Sequence, residues 1–337
     1  MTTSREVRLV ARPEGRPTRD LVEVVETEVE CGADAVVVRN LAMSVEPYMQ
    51  GRMSEHVDYA TPYALGEPLG GHAVGQVVAS TVADLPEGTV VLHEKGWREL
   101  SRLRPDEVQA RVPDGTDPLA LLGALGQTGF TAWVGLSLVA GLQAGETVFI
   151  TSAAGAVGAV AGQIAKAQGC TVIGSCGGQE KGRVLRGLGF DAVVDHRAGP
   201  VRSSLKEALA SVGRTHLDVT FDNVGGEQLE AAIRHMGDHG RIALCGAIST
   251  YDATSPVPGP RNLLLAIWRR LRLEGFIVGD HETHRSRFDQ RMTRWLADGT
   301  VVDPRTEVAQ GIENAFDGFL RMLDGASTGK SYVRLAD

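Results

Sequence analysis

Between Glu146 and Lys181 the chain runs through an apolar strand, a small-residue turn, a helix and a second strand. That order confines this part to a parallel α/β sheet. Thr147-Val148-Phe149-Ile150-Thr151 reads as a buried strand, and Ala153-Ala154-Gly155-Ala156-Val157-Gly158 opens a helix through Gln163, Ile164 and Lys166. Gly169 is placed to end that helix, and Cys170-Thr171-Val172-Ile173-Gly174-Ser175 reads as the next strand. In such a βαβ unit, backbone N–H groups at the helix start can hold a pyrophosphate. Ala154, Gly155, Ala156, Val157 and Gly158 are the candidate contacts. A tight packing turn would use the same small residues, and Ala153 stands where the first glycine of a G-x-G-x-x-G pattern would be.

The dinucleotide pattern also places a carboxylate about 20 residues on, at the end of the second strand, to accept from the ribose 2′-hydroxyl. Gly174 and Ser175 occupy that place, with Lys181 and Arg183 shortly after. A 2′-phosphate needs cations and room, so Gly174, Ser175 and Lys181 become candidate cofactor contacts and the stretch leans toward NADP(H). Taken alone, Lys181 reads as a solvated lysine at a helix start.

A chain of 337 residues is long enough for two domains with substantial cores. A formal net charge of −8 without a basic run argues against nucleic acid or an anionic membrane as the main partner. No apolar stretch follows Met1-Thr2-Thr3-Ser4-Arg5-Glu6, so no secretory signal is read, and the longest apolar run, Leu263 to Trp268, is far too short to span a bilayer. Cys31, Cys170, Cys176 and Cys245 lie scattered, which fits reduced thiols in a cytoplasmic protein better than a disulfide frame or a structural zinc site.

The first 118 residues alternate apolar and polar in short runs, such as Val22-Glu23-Val24-Val25-Glu26 and Gly75-Gln76-Val77-Val78-Ala79. Short strands with frequent turn signals predict a barrel-like or sandwich β-domain. From Pro118 the pattern turns helical, and then strands at 147–151, 170–175, 191–194, 217–221 and 240–245 alternate with helices. That alternation predicts a doubly wound parallel sheet whose strand C-termini carry any ligand along one edge. Thr250 to Pro260 reads as a proline-rich lid or rigid loop. From Val301 the tail reads as a short strand, a helix around Ile312 to Leu323 and a last strand near Tyr332-Val333-Arg334-Leu335.

Five segments, taken in order, resemble one family. They are Ser44-Val45-Glu46-Pro47-Tyr48-Met49-Gln50-Gly51-Arg52-Met53, Gly123 through Ala132, Ala153 through Gly158, Asp222-Asn223-Val224-Gly225-Gly226, and Cys245-Gly246-Ala247-Ile248-Ser249-Thr250-Tyr251. Together they are similar to the medium-chain dehydrogenase/reductase superfamily, in its zinc-free branch of alkenal and enone double-bond reductases. The resemblance implies a GroES-like β-barrel substrate domain from 1–118 and 301–337, and a Rossmann NADP-binding domain from 119–300. Zinc alcohol dehydrogenases use a Gly-His-Glu block plus further Cys and His ligands. Here Gly71-His72-Ala73 keeps only the histidine, so no metal is expected.

The activity implied is hydride transfer from NADPH to the β-carbon of an α,β-unsaturated aldehyde or ketone, with protonation at the α-carbon. Tyr251 then matches the enolate stabiliser or proton donor, although a ribose hydroxyl or water could deliver the proton, and Tyr48 matches a residue lining the substrate cleft. Packing tyrosines would explain both positions. Asn223 and Thr128 match residues at the ribose and nicotinamide end, where caps and turns also use these residue types. Several positions depart from the pattern: Gln50 for an arginine, Gln127 for a methionine, and His196 followed by Arg197 for the tyrosine that meets the adenosine phosphate. Ser327-Thr328-Gly329-Lys330 lacks the usual asparagine, which leaves Lys330 as the pyrophosphate candidate there. A quinone reductase of the same superfamily, or a non-catalytic NADPH-binding protein, would share the fold. The family is commonly dimeric through its cofactor domains, so a homodimer is expected.

Overall fold

The computed structural model describes residues 2–55, 60–113 and 115–336. The chain divides into two compact units, Met1–Leu122 with Arg305–Asp337, and Gly123–Pro304.

In the unit Gly123–Pro304 six strands make one sheet: β1 (Thr147–Ile150), β2 (Thr171–Cys176), β3 (Ala192–Asp195), β4 (Leu217–Asp222), β5 (Met236–Leu244) and β6 (Arg272–Gly275). The order is β3-β2-β1-β4-β5-β6, with every neighbouring pair parallel. The order reverses between β1 and β4, the switch point at which doubly wound sheets take ligands. Every residue of β1 is buried, as a central strand covered on both faces requires. Its alternate side chains feed two cores. Val148 and Ile150 join the cluster of Phe130, Trp133, Ile164 and Phe288, whereas Phe149 joins Leu205, Leu209 and Ile233. Each such burial contributes roughly 1.5–3 kcal/mol.

Four helices cross between the strands: α1 (Ala156–Ala167), α2 (Gln179–Gly187), α3 (Val201–Ser211) and α4 (Gly226–His235). Helix α1 sits close to its neighbours because its residues are small; a Cβ at Gly162 would lie 1.9 Å from the Phe190 ring. Two features were not foreseen. β5 begins at Met236, because Met236 already pairs with Leu217 before a register shift. β6 is an edge strand with mostly exposed residues, so it carries no apolar signature.

In the other unit, Val36–Ser44 runs antiparallel to Ala73–Ser80, Leu100–Leu103 and Lys330–Arg334. Val90–His93 and Ala110–Arg111 extend the sheet on one side, and Arg305–Gln310 lies parallel to Lys330–Arg334 on the other. Thr2–Leu9 and Val22–Val29 form a separate antiparallel pair. The helix Ala315–Leu323 packs Phe316 and Phe319 against Trp97, with ring centroids 6.1 Å away in both cases.

Candidate active site

The turn from β1 into α1 lies at the C-terminal edge of the sheet. Its left-handed residue is Ser152, with φ 49°, one position before Ala153; Ala153 therefore needs no glycine. The Ala153 N–H donates to Ser175 O at 2.8 Å, tying the turn to β2. Gly158 has a different need: a Cβ there would stand 2.4 Å from Ser152 O and 2.7 Å from Ala153 Cα. Gly155 caps the helix in extended conformation and its C=O accepts from the Ala159 N–H at 3.0 Å. The N–H groups of Ala156, Val157 and Gly158 precede the first intrahelical bond and so point outward as donors. Backbone donors so arranged at a helix start can hold an anion.

Across the switch point, β4 ends in a buried polar lock. Asp222 is fully buried and accepts from Thr151 Oγ at 2.7 Å, Gly225 N–H at 2.9 Å and Val224 N–H at 3.3 Å. Burial raises its carboxyl, and these three donors only partly offset that. Asn223 is locked to the same threonine: its N–H reaches Thr151 Oγ and its Nδ2 reaches Thr151 O, both at 2.7 Å. Its Oδ1 is left as the group able to meet a ligand. Gly225, at φ 72°, then makes the turn into α4. The next loop is fastened to this turn, since Ser249 Oγ donates to Val224 O at 2.6 Å and the Ile248 N–H to Asn223 O at 3.3 Å. Tyr251 follows directly and is half-buried. Burial, and then the Cys245 thiol, hold its phenol above the usual value of 10. Thr128 is buried in the first turn of helix Gln127–Val134. Thr151 and Asp222 escaped the sequence reading because they look like ordinary strand-end residues; an acid closing an apolar strand was the available signal.

At the ends of β2 and β3 the expected contacts divide. Gly174 is a packing glycine, because a Cβ there would stand 2.7 Å from Ala153 Cβ and from the Phe190 ring. Ser175 is fully buried; its hydroxyl donates to Gln228 Oε1 and accepts from the Ser152 N–H at 3.2 Å. Gly174 thus offers no side chain, and the Ser175 hydroxyl is engaged within the protein. Lys181 and His196 are half-buried, and Arg197 is exposed beside them. Burial and then the neighbouring Arg197 lower the Lys181 ammonium.

In the other unit Lys330 has a role the sequence did not show. The residue is 2% exposed and its ammonium is bonded to Glu46 Oε1 at 2.6 Å, so it is a buried counter-ion rather than a pyrophosphate contact. Ser44 Oγ also donates to Glu46 Oε1, at 2.9 Å. Tyr48 opens the helix Tyr48–Met53 just beyond. Burial, Glu46 and Tyr63 push its phenol well above 10, so it stays protonated. His72 Nε2 lies 3.5 Å from Glu94 Oε1. Among the described residues no group of three or more His, Cys, Asp or Glu is placed to hold a metal.

Residues 5–110 match the family model described as the N-terminal domain of oxidoreductase, and residues 156–298 match the one described as zinc-binding dehydrogenase. With a two-unit architecture and a βαβ anion cradle, the chain belongs to the medium-chain dehydrogenase/reductase superfamily. Several of its relatives are NADP(H)-dependent reductases or oxidoreductases by name. It is 35% identical over 335 residues to the NADPH-dependent curcumin reductase of Escherichia coli (strain K12), covering 97% of this chain and 96% of that one. It is 37% identical to prostaglandin reductase 1 of Bos taurus, over 95% of each. The crystal structure of CurA in complex with NADPH from Vibrio vulnificus matches with a TM-score of 0.92 and 34% identity, over 99% of each chain.

Proposed function

We propose that this chain is an NADPH-dependent reductase of the C=C bond of α,β-unsaturated aldehydes and ketones. The observation that carries the reading is the backbone cradle at Ala156–Gly158, set at the switch point of the sheet in a chain similar to an NADPH-dependent curcumin reductase and an NADP(+)-dependent 2-alkenal reductase. The donors fit a pyrophosphate, Asn223 Oδ1 is left for the ribose or nicotinamide, and Lys181 with His196 and Arg197 stands where a 2′-phosphate would fall. Bound NADPH would supply the hydride. Tyr251, kept neutral by burial, donates a hydrogen bond to the substrate carbonyl oxygen as negative charge gathers there. Tyr48, also protonated, is the substrate-side phenol of the unit containing residues 1–122. No metal takes part.

Reduction of trans-2-nonenal with NADPH oxidation, and the saturated aldehyde as product by mass spectrometry, tests the activity. Turnover confined to quinones would replace it with quinone reduction. Tyr251→Phe is expected to slow turnover on the order of a hundredfold with little change in NADPH affinity; unchanged turnover would hand the proton to water or ribose.

Two further parts of the reading follow. The chain acts in the cytoplasm as a homodimer. Burial holds the Cys170 and Cys176 thiols up at about 11 and Cys245 at about 12, as suits inert reduced thiols. The edge strand β6 is flanked in sequence by exposed Ile267, Trp268 and Ile277, apolar side chains that a second copy could cover. A monomer at all concentrations in sedimentation equilibrium would remove the dimer.

A further inference from the structure

The ends of β2 and β3 hold a group of charges that no other part of the site explains. Asp195, the last residue of β3, is the register partner of Cys176, the last of β2, so the residues just beyond each strand lie side by side at the sheet edge. The two loops are fastened together: the His196 N–H donates to Cys176 O at 3.1 Å, and both the Gly178 and Arg197 N–H groups donate to Asp195 Oδ1 at 3.0 Å. The Arg197 side chain lies across Gly177, where a Cβ would meet its Nε at 2.7 Å. Lys181 rises from the first turn of α2 beside it. The His196 ring is half-buried, and its Nδ1 is closed to solvent without a hydrogen-bond partner.

We infer that His196 is the proton-linked member of the 2′-phosphate grip: it takes up a proton as the phosphate seats beside Lys181 and Arg197, so affinity for the phosphate-bearing nucleotide falls as pH rises. This rests on the NADPH reading above. The groups facing the imidazole are the cations Arg197 and Lys181 and the carboxylates Asp195 and Glu227. Burial first, then Arg197, keep the ring below its usual 6.5 and therefore neutral at physiological pH without ligand. A phosphate brings a charge of about −1.5 to −2 and three acceptor oxygens. It supplies the field that favours imidazolium at a ring already flanked by Lys181 and Arg197.

The linkage sign is definite. The liganded protein binds more protons than the free one, so affinity rises as pH falls. The phosphate acts oppositely, since cations drive its own last proton off; with that pKa near 6, it contributes little above about pH 7. Lys181 titrates at higher pH than the imidazole. A tyrosine at position 196 would donate a hydrogen bond without this dependence.

Calorimetric titration of the full chain with NADPH and with NADH, at about pH 7.5 in two buffers of different ionisation enthalpy, counts the protons taken up. Several tenths of a proton per site are expected with NADPH, none with NADH, and none with NADPH in His196→Gln. The ratio of NADPH to NADH affinity should fall about tenfold from about pH 6.5 to 8.5 in the native chain and stay nearly level in His196→Gln. His196→Tyr, a second variant in case the first folds poorly, should keep NADPH preference and lose the slope. Equal proton uptake in native and variant chains, or a flat ratio in the native chain with NADPH still preferred, overturns this inference alone. No preference for NADPH over NADH at any pH overturns both it and the NADPH reading.

Discussion

Two carboxylates, a partly buried one (Glu46) and a fully buried one (Asp222), one in each unit, are stabilised in opposite ways. Glu46 has a cation, Lys330, at 2.6 Å and a hydroxyl, Ser44, at 2.9 Å. Asp222 has no cation among its hydrogen-bond partners and is held by one hydroxyl and two backbone N–H groups. Burial pushes both up. Lys330, His72 and Ser44 outweigh it at Glu46, which ends below its ordinary 4.5, whereas Asp222 ends above 3.8. The difference separates two uses of a buried charge. Glu46 with Lys330 fastens the last strand of the chain to the segment that presents Tyr48. Asp222 fixes the backbone of the turn that carries Asn223 and anchors the Tyr251 loop, and it does so without a cation among its hydrogen-bond partners in the described residues.

The largest way to break the comparison is Lys330→Met. It leaves the partly buried Glu46 without its counter-ion and should destabilise the unit by about 2–3 kcal/mol, less than for a fully buried pair, read as a lower denaturant midpoint. NADPH affinity should change little, and a loss of cofactor binding at unchanged stability would return Lys330 to the pyrophosphate. The double variant Lys330→Met with Glu46→Leu should recover much of the loss, because a hydrophobic pair can replace a buried ion pair. Asp222→Asn is expected to cost about 1–3 kcal/mol, since the new amide presents a donor to one of the backbone N–H groups. It should also weaken NADPH binding through Asn223; unchanged affinity would reduce Asp222 to a structural residue.

Acidification sharpens the contrast without changing volume. Glu46 has a depressed value, so its contribution is present above 4.5 and is lost as pH falls through the folded value. Asp222 has a raised value, so protonation relieves it and its contribution grows as pH falls, beginning above 3.8. Denaturant midpoints between about pH 6 and 3 should therefore fall less steeply in Glu46→Gln than in the native chain, and more steeply in Asp222→Asn. Equal slopes in all three would show that neither carboxylate titrates differently on folding.

The same contrast explains what the sequence could reveal. The β1–α1 turn was legible because its signal is local: small residues between two apolar strands, with β1, α1 and β2 within a few residues of their expected limits. β6 was not, because an exposed edge strand such as Arg272-Leu273-Glu274-Gly275 has no apolar alternation to betray it. Lys330 was misread for a different reason. Its partner is 284 positions away in the chain, and only the fold reveals that its charge is already matched. Asp222 lies between these cases, visible as an acid at the end of an apolar strand but with donors that only tertiary structure supplies.

The smallest expected effect tests how far backbone alone governs the cofactor edge. Ser175 stands where the dinucleotide pattern has its ribose acceptor, but its hydroxyl joins Gln228 to the Ser152 N–H. Ser175→Ala removes that link and leaves Gln228 Oε1 buried without its donor, at about 1 kcal/mol of stability. If the hydroxyl only braces the β1–α1 turn, NADPH and NADH should weaken together and slightly, because both share the pyrophosphate held by that turn. A selective loss of NADPH would mean that Ser175 senses the 2′-phosphate directly, and the grip would then extend beyond Lys181, His196 and Arg197 into the strand itself.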